Sequence, residues 1–182
     1  MEVLFAAAEV SPFFKVGGLA DVAGSLPLAL ARLGHTVRIA VPFHSVDPLQ
    51  GAARLPHPLD IPLAQGHEEA WVWQLPLEDR VTLYLVDCPG YFRRGRIYWD
   101  EEDLVRFTRF SLALAQLPSL PGWHPDVFHA NDWHTALAVR AMARGSGPPA
   151  LLTIHNVQYQ GHFAPEWLPT TVGPFPESAV FQ

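Results

Sequence analysis

The first 33 residues combine a short apolar run, a loop with a glycine pair and a segment with helical periodicity. Residues 3–8 are typical of a buried strand, and apolar residues recur at helical spacing over residues 22–33. The loop between them holds Lys15, Gly17 and Gly18. A helix start directs backbone N–H groups and the positive end of the helix dipole at one spot, and Lys15 adds a full charge. Glycines allow close approach because they have no Cβ. This strand, loop and helix therefore favour a phosphate or diphosphate ligand.

The glycine spacing does not match the two best-known phosphate-binding loops. Gly24 is the next glycine after Gly17 and Gly18, so the sequence contains neither G-x-G-x-x-G nor G-x-x-x-x-G-K-[ST] here. The loop lacks the fingerprints of a dinucleotide-binding fold and of a Walker P-loop. From spacing alone, a simple glycine turn that packs the helix onto the strand, with Lys15 in solvent, fits equally well.

The order of the elements predicts an α/β fold. A β-branched run over residues 36–41 follows the first helix, which predicts a strand, a helix and a second, parallel strand. Further strands are predicted at 59–63, 70–75, 81–87, 126–130 and 150–154, and further helices at 103–117 and from Asn131 onward. The runs at 70–75 and 81–87 indicate a hairpin or two neighbouring strands. We expect a Rossmann-like, doubly wound parallel sheet covered on both faces.

Because of Pro27, the sequence allows two different first residues for the first helix. The helix begins either behind Ser25, with Pro27 in its first turn, or near Ala20, with a kink at Pro27. Gly34 is the expected stop at its C-terminal end.

Three polar turns follow predicted strands. They are the loop at Lys15 to Gly18, the segment from His129 to His134, and His155 with Asn156. Because a doubly wound sheet binds ligands at the carboxyl ends of its strands, these turns are expected to converge on one edge of a cleft. Each histidine taken alone is better explained as a hydrogen-bonded residue at the margin of the sheet, and it is the coincidence of three such turns that favours a site.

A metal site is the alternative use of the same histidines. His129, Asp132, His134 and His155 include acceptable zinc ligands. The sequence has neither H-E-x-x-H nor a cysteine-rich spacing that would orient such ligands, so we predict no metal and no cofactor.

Composition excludes several classes of partner. The 182 residues carry a formal net charge of −6, and the 12 basic residues are scattered, which argues against nucleic acid. No apolar run approaches the roughly 18 residues needed to span a bilayer, and Glu2 stands where a signal peptide would need a basic residue. The single cysteine, Cys88, is expected to pack in the core and fits a reducing cytoplasm.

Four motifs closely resemble those of the bacterial glycogen synthases and plant starch synthases, and they occur in the order found in that family. Lys15 to Val22 matches K-x-G-G-L-A-D-V, and Arg93 to Tyr98 matches R-x-G-x-x-Y. Asp132 and Trp133 resemble the H-D-W-H segment, and Thr153 to Gly161 matches T-[IV]-H-N-x-x-Y-Q-G. The resemblance covers essentially the entire chain. Asn131 stands where many bacterial members have His and plant members often have Asn, and we assign it no role.

The resemblance implies a GT-B glycosyltransferase with two Rossmann-like halves. Such an enzyme transfers glucose from ADP-glucose to the non-reducing end of an α-1,4-glucan, such as glycogen or a maltooligosaccharide, with retention at the anomeric carbon. By the same likeness, Lys15 contacts the donor phosphates and the backbone of Gly17 and Gly18 lies against them. Asp132 and His155 border the pocket of the transferred glucose and are the candidate catalytic residues. Further candidates for substrate binding are Asp21, Tyr98 and Asn156.

Members of this family are much longer than 182 residues, and the second half supplies most nucleotide contacts. We therefore expect residues 1–182 to form part of the N-terminal domain, with the C-terminal nucleotide-binding domain absent, and to be inactive alone. Two alternatives remain open from the sequence: a non-catalytic module that binds glucan or nucleotide, and a GT-B transferase that uses another nucleotide sugar such as UDP-glucose.

Overall fold

A computed structural model describes residues 1–98, 102–143 and 147–162. Within them, eight strands form the sheet and three α-helices connect and cover it. In chain order these elements are β1 (Glu2–Ala6), α1 (Gly18–Arg32), β2 (Thr36–Pro42), β3 (Ala53–Arg54), β4 (Leu59–Pro62), β5 (His67–Glu78), β6 (Val81–Asp87), α2 (Asp103–Gln116), β7 (Val127–Asn131), α3 (Trp133–Ala143) and β8 (Ala150–Thr153), with a 3-10 turn at Leu117–Ser119. None of the helices in these ranges is long and apolar enough to cross a membrane.

The sheet is mostly parallel. Its strand order is β3-β5-β6-β2-β1-β7-β8, and β4 pairs with β5 beside this path. The five strands from β6 to β8 run parallel to one another, whereas β5 is antiparallel to β6 and carries β3 and β4 as further antiparallel strands. The predicted Rossmann-like α/β fold is confirmed, and the predicted hairpin is β5 followed by β6. The antiparallel edge makes the sheet mixed rather than purely parallel.

The strand β1 lies in the interior of the sheet, between β2 and β7. Its residues from Val3 to Ala6 are all buried, including neighbours that point to opposite faces, so both faces of the sheet are covered at this strand. At the edge, β8 is largely exposed, and Leu151 and Leu152 keep 53% and 40% of their surface accessible. The apolar core is therefore centred on β1 and its neighbours β2 and β7.

Helix α1 begins within the glycine pair, with Gly17 as its N-cap. Its first residue is Gly18, so Pro27 lies inside the helix and the alternative start behind Ser25 is wrong. Leu33 ends the helix and Gly34 follows in the left-handed region, with φ +91°, as the C-terminal stop predicts. The early start places the first N–H groups of α1, which have no intrahelical acceptor, beside the glycine loop.

Candidate functional site

A cleft of about 570 Å³ opens where the segments that follow β1, β7 and β8 meet the first turns of α1 and α3. Its lining consists of Glu9, Val16, Gly17, Gly18, Leu19, Val22, Tyr98, Asp103, Asp132, Trp133, His134, His155, Asn156 and Tyr159. Six of the eight predicted site residues are in this set, so the polar turns do converge on one cleft. Parallel strands explain this, because their carboxyl ends lie at the same edge of the sheet.

Glu9 holds the glycine loop in place. Its side chain is 3% exposed, and its Oε2 accepts hydrogen bonds from the backbone N–H of Val16 (2.6 Å) and of Gly17 (3.0 Å). Two loop amides are thus already occupied by an internal carboxylate. An incoming anion must instead use N–H groups from the start of α1 at Gly18, where no side chain caps the helix. The sequence analysis missed Glu9. The signal in the sequence that could have identified Glu9 is its position, since it is an acidic residue immediately after a buried strand.

Tyr98 extends this arrangement across the cleft. The Tyr98 hydroxyl hydrogen-bonds the carboxylate of Glu9. Burial raises the pKa of the Tyr98 hydroxyl above its ordinary value, and the negative charge of Glu9 raises it further. Tyr98 therefore stays a neutral hydroxyl, and Glu9 joins it to the glycine loop.

Lys15 and Asp21 are not part of the cleft lining. The Nζ of Lys15 lies 2.6 Å from Oδ1 of Asp21, and the two side chains are 49% and 58% exposed. An ion pair this exposed contributes little, about 0.2–1 kcal/mol, because water screens it. Lys15 could therefore leave Asp21 and bind a ligand with little loss of free energy. The roles predicted for these two residues stay predictions.

Asp132 connects the end of β7 to the end of β8. It adopts φ +58°, a left-handed conformation that Asp tolerates better than most residues, and it is only 7% exposed. Its Oδ1 accepts a hydrogen bond from the backbone N–H of His155 (2.7 Å), while its own N–H donates to the carbonyl of Thr153 (2.9 Å). These two bonds bring both candidate catalytic residues to the same wall of the cleft.

The two other histidines of this region have different surroundings. His129 pairs its Nε2 with Oγ1 of Thr153 at 2.8 Å and packs edge-on against Phe5, which is a structural role within the sheet. His134 lines the cleft and stacks against Trp133, with ring centroids 4.1 Å apart. Burial lowers the pKa of His134 to about 3, so its imidazole is neutral at physiological pH. Within the ranges that the structure describes, no three His, Cys, Asp or Glu side chains are grouped so as to hold a metal ion.

Comparison with known proteins agrees with the fold and the motifs. The family model described as the starch synthase catalytic domain matches residues 2–179. Glycogen synthase 1 of Geobacter sulfurreducens is 42% identical over 183 residues, which cover 91% of this chain and 36% of that protein. The catalytic domain of starch synthase IV from Arabidopsis thaliana, solved with ADP and acarbose, superposes with a TM-score of 0.77 at 29% identity and covers 88% of this chain and 34% of that one.

A more distant structure shares the fold alone. The sucrose-phosphate synthase of Thermosynechococcus elongatus has a TM-score of 0.57 at 15% identity, over 86% of this chain and 33% of that one. The parallel-dominated sheet with its cleft at the strand ends is thus a domain of the GT-B glycosyltransferase class. Within that class, the chain belongs to the starch synthase catalytic domain family. It spans about a third of the length of the relatives that it matches.

Proposed function

We propose that this chain is the N-terminal part of a glycogen synthase, which transfers glucose from ADP-glucose to the non-reducing end of an α-1,4-glucan with retention. The observation that carries the proposal is the cleft in which Gly17, Gly18, Asp132 and His155 lie together. It is supported by family membership, by a relative named glycogen synthase 1 and by a similar starch synthase that was solved with ADP and acarbose.

Each group in the cleft, and Lys15 beside it, has a task that its geometry allows. The uncapped start of α1 and Lys15 stabilise the charge that develops on the departing diphosphate. Asp132 and His155 border the transferred glucose, and Tyr98 and Asn156 hold the sugars in position. The diphosphate itself takes the proton of the acceptor hydroxyl, so no pair of catalytic carboxylates is required.

The proposal extends to the rest of the enzyme. Residues 1–182 would form part of one Rossmann-like domain, and a C-terminal domain outside this chain would recognise the base of the nucleotide. The chain alone would then bind ligands without turning them over. We place the enzyme in the cytoplasm, where the buried free thiol of Cys88 stays reduced.

Transfer of labelled glucose to glycogen tests the proposal. The complete polypeptide that carries this chain is given ADP-glucose, UDP-glucose or both in competition, and the 182-residue chain is assayed in parallel. We expect incorporation from ADP-glucose by the complete polypeptide and none by the chain alone. Preference for UDP-glucose would identify a different GT-B transferase. Glucan binding without any transfer by the complete polypeptide would identify a binding module, and robust transfer by the 182-residue chain would show that no further domain is required.

A further inference from the structure

The side chain of Asn131 has one possible orientation. Asn131 is the last residue of β7 and is fully buried. Its Nδ2 donates hydrogen bonds to the backbone carbonyls of Ala6 (2.9 Å) and His129 (3.2 Å). Carbonyl oxygens only accept hydrogen bonds, so the amide nitrogen must face them. The opposite assignment would place the amide oxygen against two other acceptors, and Oδ1 is therefore the atom that Asn131 presents on its other side.

That oxygen lies 2.9 Å from Nε2 of His155. An amide oxygen has no proton to give, so Nε2 of His155 must carry the proton of this bond. In a neutral imidazole the other ring nitrogen then bears a lone pair. Nδ1 of His155 has no hydrogen-bond partner among the residues at 1–98, 102–143 and 147–162, and His155 lines the cleft. The backbone of His155 is held as well, by Asp132.

We propose that Asn131 is a positioning residue that fixes His155 as its Nε2–H tautomer and so gives the cleft a hydrogen-bond acceptor, Nδ1. An acceptor at this place selects for a ligand that donates, and sugar hydroxyls are such donors. Naming the ligand a sugar rests on the function proposed above, whereas the tautomer does not. Asn131 thereby links the central strand β1, through Ala6, to the ring that meets the substrate.

The imidazole nitrogens report the tautomer directly in nitrogen-15 NMR. Spectra of the uniformly labelled protein are recorded near pH 8.5, above the ordinary imidazole pKa of about 6.5. His155→Gln identifies the His155 signals by their disappearance. We expect a protonated Nε2 and an unprotonated Nδ1 in the wild-type protein. A His155 ring protonated on Nδ1 would overturn the proposal without any variant of Asn131.

Asn131→Ala removes the acceptor and tests its role. We expect the two His155 nitrogen shifts to move toward each other, as the tautomers interconvert. Thr153→Val is the matched control, because it removes the partner of His129 on the neighbouring strand and should leave the His155 signals unchanged. Wild-type His155 shifts in a folded Asn131→Ala protein would overturn the proposal. If that variant fails to fold, the wild-type tautomer remains the deciding measurement.

Titration with maltotriose separates this proposal from the proposed function. We expect the Nδ1 signal to shift on binding, while Nε2 keeps its bond to Asn131. A shift confined to Nε2 would contradict the acceptor role of Nδ1. If neither maltotriose nor ADP-glucose binds, the proposed function fails, and an Nε2–H tautomer that depends on Asn131 still supports the positioning role.

Discussion

Lys15 is the only lysine in the sequence, and it neighbours the part of the glycine loop that lines the cleft. A hydrogen bond to a charged group contributes about 1.5–3 kcal/mol, more than the exposed pair with Asp21. We expect Lys15→Ala to raise KM for ADP-glucose about 10- to 100-fold and to leave the free energy of unfolding nearly unchanged. Steady-state kinetics of the complete polypeptide measure KM in this and the later kinetic predictions, and urea denaturation measures the free energy of unfolding.

The control for Lys15 is another exposed cation. Arg80 is 53% exposed and its Nε lies 3.9 Å from Oδ2 of Asp79. Arg80→Ala should leave KM for ADP-glucose unchanged. An unaltered KM in Lys15→Ala would contradict contact between Lys15 and the diphosphate.

Asp132 has a structural role, as the acceptor of the His155 N–H, and a proposed catalytic role that depends on its charge. The substitution Asp132→Asn keeps the first and removes the second. Asn also tolerates φ +58° and keeps an oxygen that accepts the N–H of His155. We expect Asp132→Asn to change the free energy of unfolding by less than about 1 kcal/mol and to lower kcat about 10²- to 10³-fold, because the charge is lost. Asp132→Ala, which removes the acceptor too, should also destabilise the fold by about 1–3 kcal/mol. Wild-type turnover by Asp132→Asn would show that the carboxylate charge has no catalytic part.

Helix α1 contains two glycines whose surroundings differ. A Cβ on Gly24 would lie 2.7 Å from the backbone oxygen of Ser11, whereas a Cβ on Gly18 would meet nothing within 4 Å. Alanine gains up to about 1 kcal/mol over glycine within a helix, but overpacking costs about 1–3 kcal/mol. We therefore expect Gly24→Ala to lower the free energy of unfolding and Gly18→Ala to leave it unchanged or raise it.

The same pair of variants tests the cleft. Gly18 lines the cleft, and nothing within 4 Å would meet a Cβ there, so alanine at this position would meet only a ligand that lies against the backbone as proposed. Gly18→Ala should raise KM for ADP-glucose in a protein of full stability, as thermal unfolding and kinetics would record. An unchanged KM would remove Gly18 from the set of ligand contacts.

Two buried, neutral histidines make the free energy of unfolding depend on pH. Burial lowers the pKa of His44 to about 4 and that of His134 to about 3, against about 6.5 when unfolded. Between these values the unfolded chain binds protons that the folded chain does not. The free energy of unfolding therefore keeps its full value above about pH 6.5. It falls as the pH drops toward the pKa values that the two histidines have in the folded chain.

The contribution of His44 to this pH dependence of stability can be measured separately. Its Nε2 donates a hydrogen bond to the carbonyl of Ala8 at 2.8 Å, and Gln at this position retains an N–H donor without the titration. We expect the wild-type free energy of unfolding to fall between pH 7 and pH 4, and His44→Gln to reduce that fall by about 3 kcal/mol. Urea denaturation at both pH values measures the difference. An equal loss in the two proteins would mean that His44 is not the group that takes up the proton.

The sequence was sufficient for the α/β fold class and for the place of the cleft, but not for the antiparallel edge formed by β3, β4 and β5. Uninterrupted apolar runs such as residues 3–8 predict strands buried on both faces, and strands of that kind belong to parallel sheets. A parallel sheet brings the carboxyl ends of its strands to one edge. The polar residues that follow those strands, among them Asp132 and His155, therefore had to meet, as the structure confirms.

The contacts that hold the cleft residues in place could be identified only in the folded structure. Glu9 occupies two loop amides, and Asn131 reaches Ala6, 125 positions away, and His155, 24 positions away. Local periodicity carries no information about such pairs, because it reports which face of an element is buried and not which atoms face one another across the sheet. Hydrogen bonds depend on distances of tenths of an ångström and on donor direction, and packing of the whole core sets both.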